Sequence, residues 1–210
     1  MAHLALGIYL LYMALAFGLR SAIQLRRTGS TGFKGIGGSP GSAEWLAGVG
    51  FALAIAVGVA APALDLAGLL EPIEAIDSDP LNSAGAALAL TGVFLTLYAQ
   101  IAMGDSWRIG VDPGETTALV TSGPFAWVRN PIFSAMIPTA CGLAMMVPNI
   151  ASIAGVVGLI TALELQIRVV EEPYLRQVHG DAYESYAGRV GRFFPGLGRI
   201  ERRTTDAIGQ

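Results

Sequence analysis

From Trp45 to Leu64 the chain carries no charged residue, and the same holds from Leu81 to Gly104 and from Asn130 to Leu163. A helix crosses a bilayer with about 20 mostly apolar residues, because each backbone amide must find its partner within the segment. The first two runs have that length. The third would reach about 51 Å as one helix at 1.5 Å per residue, too long for a single crossing. Pro148-Asn149 divides it. Proline removes an amide donor and clashes with the preceding turn, so a helical hairpin is expected over 131–147 and 150–170. A further span runs from Leu4 to Leu25, with Arg20 near its end, where the side chain can snorkel to the headgroups. The expected fold is all-α: a polytopic membrane bundle of about five transmembrane helices followed by a C-terminal amphipathic segment. Residues 1–210 form one domain, with three spans in 1–104, the polar working region in 105–199 and a polar tail in 200–210.

Composition agrees: 53% of the residues are hydrophobic and 14% charged, against about 25% charged in soluble domains. Of the 13 basic residues only Lys34 is a lysine, leaving twelve arginines, seven of them from Arg168 onward. No basic patch with interleaved aromatics points to nucleic acid. Cys141 is the one cysteine and His3 and His179 are the two histidines, far apart in the chain, so neither an intrachain disulfide nor a metal site is expected. Ala14-Leu15-Ala16 resembles a signal-peptidase site, but no basic residue precedes it and Arg20, Arg26 and Arg27 follow it, so the first span is read as retained. The loop after it holds Arg26, Arg27 and Lys34, whereas 65–80 holds five acidic residues and no basic one. The positive-inside rule then puts the N-terminus outside, and 105–130 and the arginine-rich C-terminus in the cytoplasm, in a plasma or inner membrane. The glycine-rich stretch Gly29 to Gly38 lacks the spacing of a phosphate-binding loop and reads as a flexible connector.

Two segments are more polar than an anchor needs. Gly123-Pro124 makes a turn, and Asn130-Pro131 starts the fourth helix, with proline where its missing amide costs nothing. The first-turn amides there could receive an anionic group; the plainer alternative is a helix start ringed by the interfacial aromatics Phe125, Trp127 and Phe133. At the end of the fifth helix, Arg168, Glu171, Glu172 and Leu175 fall at i, i+3, i+4 and i+7, which places the arginine and both carboxylates on one face. Such charges at a membrane edge call for partners, here either a ligand or a local pair of Arg168 with Glu171 or Glu172.

Together the two segments resemble the isoprenylcysteine carboxyl methyltransferase family, within the wider group that includes phospholipid methyltransferases. One motif stands as Gly123-Pro124-Phe125-Ala-Trp-Val-Arg129-Asn130-Pro131-Ile132-Phe133-Ser-Ala135. The other stands as Glu171-Glu172-Pro-Tyr-Leu175, then His179-Gly180 through Tyr183, Tyr186, Arg189-Val190 and Phe193-Phe194-Pro195. Phe125 and Phe133 stand where the family pattern has tyrosine, Asn130 where it has histidine, and Ala135 where it has glycine. The resemblance implies an S-adenosylmethionine-dependent methyltransferase whose cofactor-binding and catalytic region is 105–199. Its acceptor would be hydrophobic or prenylated, a small molecule or peptide such as a prenylcysteine-type or isoprenoid-like acid, entering from the lipid bilayer. Carried over by position, the cofactor contacts are Thr117, Ala118, Leu119, Val120, Phe125, Asn130, Pro131, Ile132, Phe133 and Glu171. Arg168 faces the acceptor, and Glu172 is the candidate base for a neutral one; no metal is implied. Two other readings of the same scaffold are a nicotinamide-dependent reductase and a membrane protein without activity.

Overall fold

The computed structural model describes residues 1–110 and 118–200. Helix α1 spans Ala2–Thr28, with one widened, π-helical stretch at Ala14–Leu19. Its buried positions include Tyr12, Ala16, Arg20 and Gln24, a spacing of four that the wider winding keeps on one face. Helix α2, Ala43–Leu66, starts where the Ser42 hydroxyl accepts the Trp45 amide at 3.2 Å, satisfying one donor that a helix start leaves orphaned. Helix α3 is Asp79–Met103. Helix α4, Pro131–Met146, opens on the expected proline. Asn149 begins α5, Ile150–Leu165, its side chain accepting the Ser152 amide at 2.9 Å, so the long third run does fold as a hairpin turning at Pro148-Asn149. A π-helical turn, Gln166–Glu171, leads without a break into α6, Glu172–Arg189.

Among the described residues four helices are long and apolar enough to cross a bilayer, and α4 is a shorter fifth of 16 residues, about 24 Å in length. Lipid offers no hydrophobic drive for helix association, so close backbone packing must supply it. Small residues do this along α3 and α4: a Cβ placed on Gly142 would lie 2.4 Å from the Ala89 amide nitrogen, and one on Gly92 would lie 2.3 Å from Thr139 Oγ1. Helix α2 packs along α5. The buried centre takes Tyr12 and Ala16 from α1, Val93 from α3, Met136 from α4 and Leu163 from α5. Outward faces present Leu53, Phe94, Ile101 and Val157, the apolar surface of an integral membrane protein.

At one end of the bundle the polar segments converge. Arg20 Nη2 donates to the Gly104 carbonyl at 2.5 Å, Gln24 Nε2 to the Asp105 carbonyl at 2.7 Å, and the Arg20 guanidinium lies 4.7 Å from the Trp107 ring centroid. These bonds cap the last carbonyls of α3 from the end of α1. The glycine-rich stretch is no free connector. Phe33 and Ile109 form a parallel bridge, with the Ile109 amide donating to Gly32 at 2.7 Å and the Lys34 amide to Ile109 at 3.0 Å. Gly32 has φ +76 and the Trp107 ring 2.9 Å from where a Cβ would stand, so its glycine serves a left-handed backbone and a close contact, neither of which spacing alone reveals.

Beyond α5 the chain departs from a simple amphipathic helix. Gly180, at φ 49 and ψ −127, kinks α6. Residues 190–198 then fold back onto the entrance to α4, where Val128 bridges Gly191 and the Arg129 amide donates to Gly191 at 2.8 Å.

Candidate active site

Arg129, one residue before Asn130-Pro131, is 6% exposed. Its Nη1 donates to the carbonyls of Ala187 at 3.0 Å and Val190 at 2.5 Å, and its Nη2 to Glu172 Oε1 at 2.8 Å and Gly198 at 3.0 Å. Arg192 donates to both oxygens of the same carboxylate, through Nε at 2.8 Å and Nη2 at 3.0 Å. Burial alone would raise the Glu172 pKa, but the two guanidiniums outweigh it and hold it below the ordinary carboxylate value. Hydrogen bonding to Glu172 in turn raises the Arg192 pKa. This cluster joins three stretches of chain: the entrance to α4, the first residue of α6 and the returning C-terminal loop. Tyr186 strengthens the same joint by donating its hydroxyl to the Phe125 carbonyl at 2.6 Å, and Ser134 Oγ donates to the Phe193 carbonyl at 2.9 Å.

A cavity of about 490 Å³ opens beside this joint, within the 300–1,000 Å³ typical of small-molecule sites. Tyr12 and Phe17 of α1 and Phe51 and Ile55 of α2 line its apolar part. Segment 118–120, Phe125, Asn130 to Phe133, Glu171 and Arg108 line the remainder. Four lining side chains carry a buried polar atom without a hydrogen-bond partner among the described residues: the Tyr12 hydroxyl, Gln100 Oε1, Arg108 Nη1 and Arg129 Nε. An unmade hydrogen bond on a buried group costs roughly 1–3 kcal/mol. A polar ligand here would remove that penalty, so the residues present fit a cofactor that has both charged and hydroxyl groups.

The structure brings nearly all of the expected site residues to this one space. Ala118, Leu119, Val120, Phe125, Asn130, Pro131, Ile132, Phe133, Glu171 and Glu172 line it; Thr117 lies outside the described residues. Arg168 is not among the lining residues. Its side chain is 58% exposed and pairs with Glu164, one turn back, instead of with Glu171 or Glu172. The shared face inferred from i, i+3 and i+4 assumed α-helical winding, whereas Gln166–Glu171 winds more widely and turns Arg168 away from the buried carboxylates. Glu172 also differs from the expected free base: three donor contacts from two guanidiniums and a lowered pKa make it a poor proton acceptor.

Arg108, Gln100, Arg129 and Arg192 were given no role from sequence. Gln100 had a readable signal, since an amide inside an otherwise apolar span calls for a partner, and its Nε2 donates to the Ala16 carbonyl at 2.9 Å. For the arginines, a positive charge flanking a span reads first as a topology determinant.

Comparison with known proteins agrees with this geometry. The profile of the phospholipid methyltransferase family matches residues 81–182. The nickel-cobalt-cadmium resistance protein NccN of Alcaligenes xylosoxydans xylosoxydans is 27% identical over 121 residues, 57% of this chain and 55% of that protein; the chain thus spans about half the length of this curated relative. In fold the chain is similar to the eukaryotic intramembrane Ras methyltransferase, isoprenylcysteine carboxyl methyltransferase. The TM-score is 0.60 at 21% identity, with 94% of this chain and 70% of that one covered. Residues 81–182, the segment that supplies most of the polar wall of the cavity, are thus similar to the phospholipid methyltransferase family, on the fold of an integral membrane protein.

Proposed function

We propose that this protein is an S-adenosylmethionine-dependent methyltransferase whose acceptor carries an apolar chain and a carboxylate, such as a prenylcysteine-type or isoprenoid-like acid. The observation that carries this reading is that one cavity joins apolar side chains of the spans, Tyr12, Phe17, Phe51 and Ile55, to the polar segment from Ala118 to Phe133 and to Glu171. A lipidic acceptor and a polar cofactor can meet in such a space, with the lipid tail remaining among apolar groups.

The cofactor would supply an electrophilic methyl group: as the acceptor oxygen bonds to that carbon, its bond to sulfur breaks and the sulfur keeps the electron pair. A carboxylate acceptor is already anionic and loses no proton, so no general base is required. What remains for the protein is alignment and exclusion of water. Phe125 and Phe133 offer aromatic faces to a sulfonium. Glu171 is suited to an ammonium or to ribose hydroxyls, and the first-turn amides of α4 at Ile132 and Phe133 to hydrogen-bond acceptors. Glu172, Arg129 and Arg192 act as positioning residues, holding the α4 entrance against α6. The charge layout of the loops supports a cytoplasmic site with the N-terminus outside.

Calorimetric titration of the detergent-solubilised protein with S-adenosylmethionine and S-adenosylhomocysteine tests the cofactor, and methyl incorporation into N-acetyl-S-farnesylcysteine tests the acceptor. Saturable binding and ester formation are expected. Folded protein that binds neither nucleoside would sink the reading.

A further inference from the structure

Among the described residues two cationic side chains line the cavity, Arg108 and Arg129. Arg129 spends both terminal nitrogens on four donor contacts to the protein, which fix it in the joint and leave only its Nε without a partner among the described residues. Arg108 is differently placed. Its guanidinium carbon lies 4.9 Å from the centroid of the buried Tyr174 ring, a cation–π contact. Its Nη1 is buried without a hydrogen-bond partner among the described residues. The backbone beside it is fixed on both sides, by Trp107 beneath Arg20 and by Ile109 bridged to Phe33. It also interacts electrostatically with Glu171.

We infer that Arg108 is the anion-binding residue of the cavity and that its guanidinium edge receives the carboxylate of a bound small molecule, the task the sequence pattern gives to Arg168. The inference rests on the methyltransferase reading. Planar, always charged and held against a ring, an arginine edge matches a carboxylate with two parallel hydrogen bonds. Arg168, exposed and paired with Glu164, does not line this space. The same cavity is lined by Glu171, whose carboxyl pKa is pushed up to about 7 by burial against the pull of Arg108, and by Gln100, whose Oε1 is an unpartnered acceptor among the described residues. A guanidinium, a carboxyl group and a neutral acceptor lining one cavity suit a ligand end that bears a carboxylate together with an ammonium or amide N–H. Two ligands of the proposed reaction offer that chemistry: the amino-acid end of the cofactor, and an acceptor of the N-acyl cysteine type.

The test uses the full chain in detergent, unmodified and as Arg108→Gln, Arg108→Lys and Arg168→Gln, titrated with four probes. S-adenosylhomocysteine carries the amino-acid end, and 5′-methylthioadenosine has the same nucleoside and thioether without it. N-acetyl-S-farnesylcysteine carries the acceptor carboxylate, and its methyl ester does not. If the carboxylate is the cofactor's, Arg108→Gln weakens S-adenosylhomocysteine roughly ten- to hundredfold, the range for a hydrogen bond to a charged group, and leaves methylthioadenosine unchanged. If it is the acceptor's, the same loss falls on the farnesylcysteine acid and spares its ester. In either case Arg108→Lys recovers part of the affinity and Arg168→Gln changes neither. Three results overturn the inference: undiminished binding of both acids by Arg108→Gln, an equal loss for the uncharged probes, or the loss appearing in Arg168→Gln instead. Failure of the unmodified protein to bind either nucleoside would overturn the methyltransferase reading itself, and the inference with it.

Discussion

Glu172→Gln separates two tasks that a carboxylate in this position can have. The substitution keeps the shape of the side chain but removes the charge on which Arg129 Nη2, Arg192 Nε and Arg192 Nη2 converge at 2.8, 2.8 and 3.0 Å. Arg129 is 6% exposed and Glu172 5%, so water cannot take over the lost contacts. The amide also turns an NH₂ group toward a donor wherever it replaces an accepting oxygen. Removing one partner of a buried ion pair costs about 3–5 kcal/mol, because the other charge stays buried and uncompensated. Retention of the three carbonyl contacts of the Arg129 side chain places Glu172→Gln near the lower bound, about 3 kcal/mol or a factor of roughly 150 in the folding equilibrium. Equilibrium unfolding in mixed detergent micelles measures it. Arg192→Gln and the double variant close a cycle that isolates the pair. Arg168→Gln is the built-in control: its partner Glu164 is 36% exposed and it is 58% exposed itself, so the loss expected there is below about 0.5 kcal/mol. A Glu172→Gln protein within 0.5 kcal/mol of the unmodified chain would refute the clamp. If that stable variant also lost the acidic limb of its pH–rate profile, Glu172 would be the general base after all.

The same cluster sets a response to acid. Because the folded-state pKa of Glu172 is depressed, its contribution is fully present above the ordinary carboxylate value of about 4.3 and is lost as pH falls through the lower folded-state value. Unfolding midpoints recorded from pH 7 downward are expected to fall less steeply in Glu172→Gln than in the unmodified protein; parallel curves would contradict this. Gly142→Val should cost roughly 1–3 kcal/mol by forcing α3 and α4 apart, since even a Cβ at this position would stand 2.4 Å from the Ala89 amide nitrogen; a variant of unchanged stability would mean that this seam is not tight. For topology, with Cys141 replaced, an impermeant thiol reagent applied to intact cells should label Asp77→Cys and spare Arg26→Cys. The reverse pattern would invert the proposed orientation.

The parts of this protein that were legible in the sequence are those governed by local rules. Bilayer thickness fixes the length of an uncharged run, so α2 and α3 appear where the sequence has no charges. Proline removes an amide, so Pro148 turns the hairpin and Pro131 opens α4. The cavity wall from Ala118 to Phe133 was legible for another reason, as a spaced pattern shared with a family. Pairings across long sequence separations were not legible. Nothing near Arg129 in the chain indicates that Glu172, Ala187, Val190 and Gly198 will surround it, 43 to 69 residues later. Nor does the spacing of Gly29 to Gly38 reveal the bridge to Ile109.

Arg168 shows how one turn of winding separates residues that helical spacing groups on one face. The i, i+4 relation to Glu172 is real in number, yet one widened turn between them is enough to send the arginine outward to Glu164 while Glu172 stays buried. A π-helical turn adds no residue type that betrays it: Gln166-Ile-Arg-Val-Val-Glu171 contains neither proline nor glycine. Its cause is tertiary. Val170, Glu171 and Glu172 must line the cavity while Ile167, fully buried, faces the core, and an α-helical turn of 3.6 residues does not present three successive residues and Ile167 inward together. Where a helix carries polar side chains out of the membrane, the winding that seats them is thus decided by the cavity, and the arginines that line this cavity, Arg108 and Arg129, come from other stretches of chain.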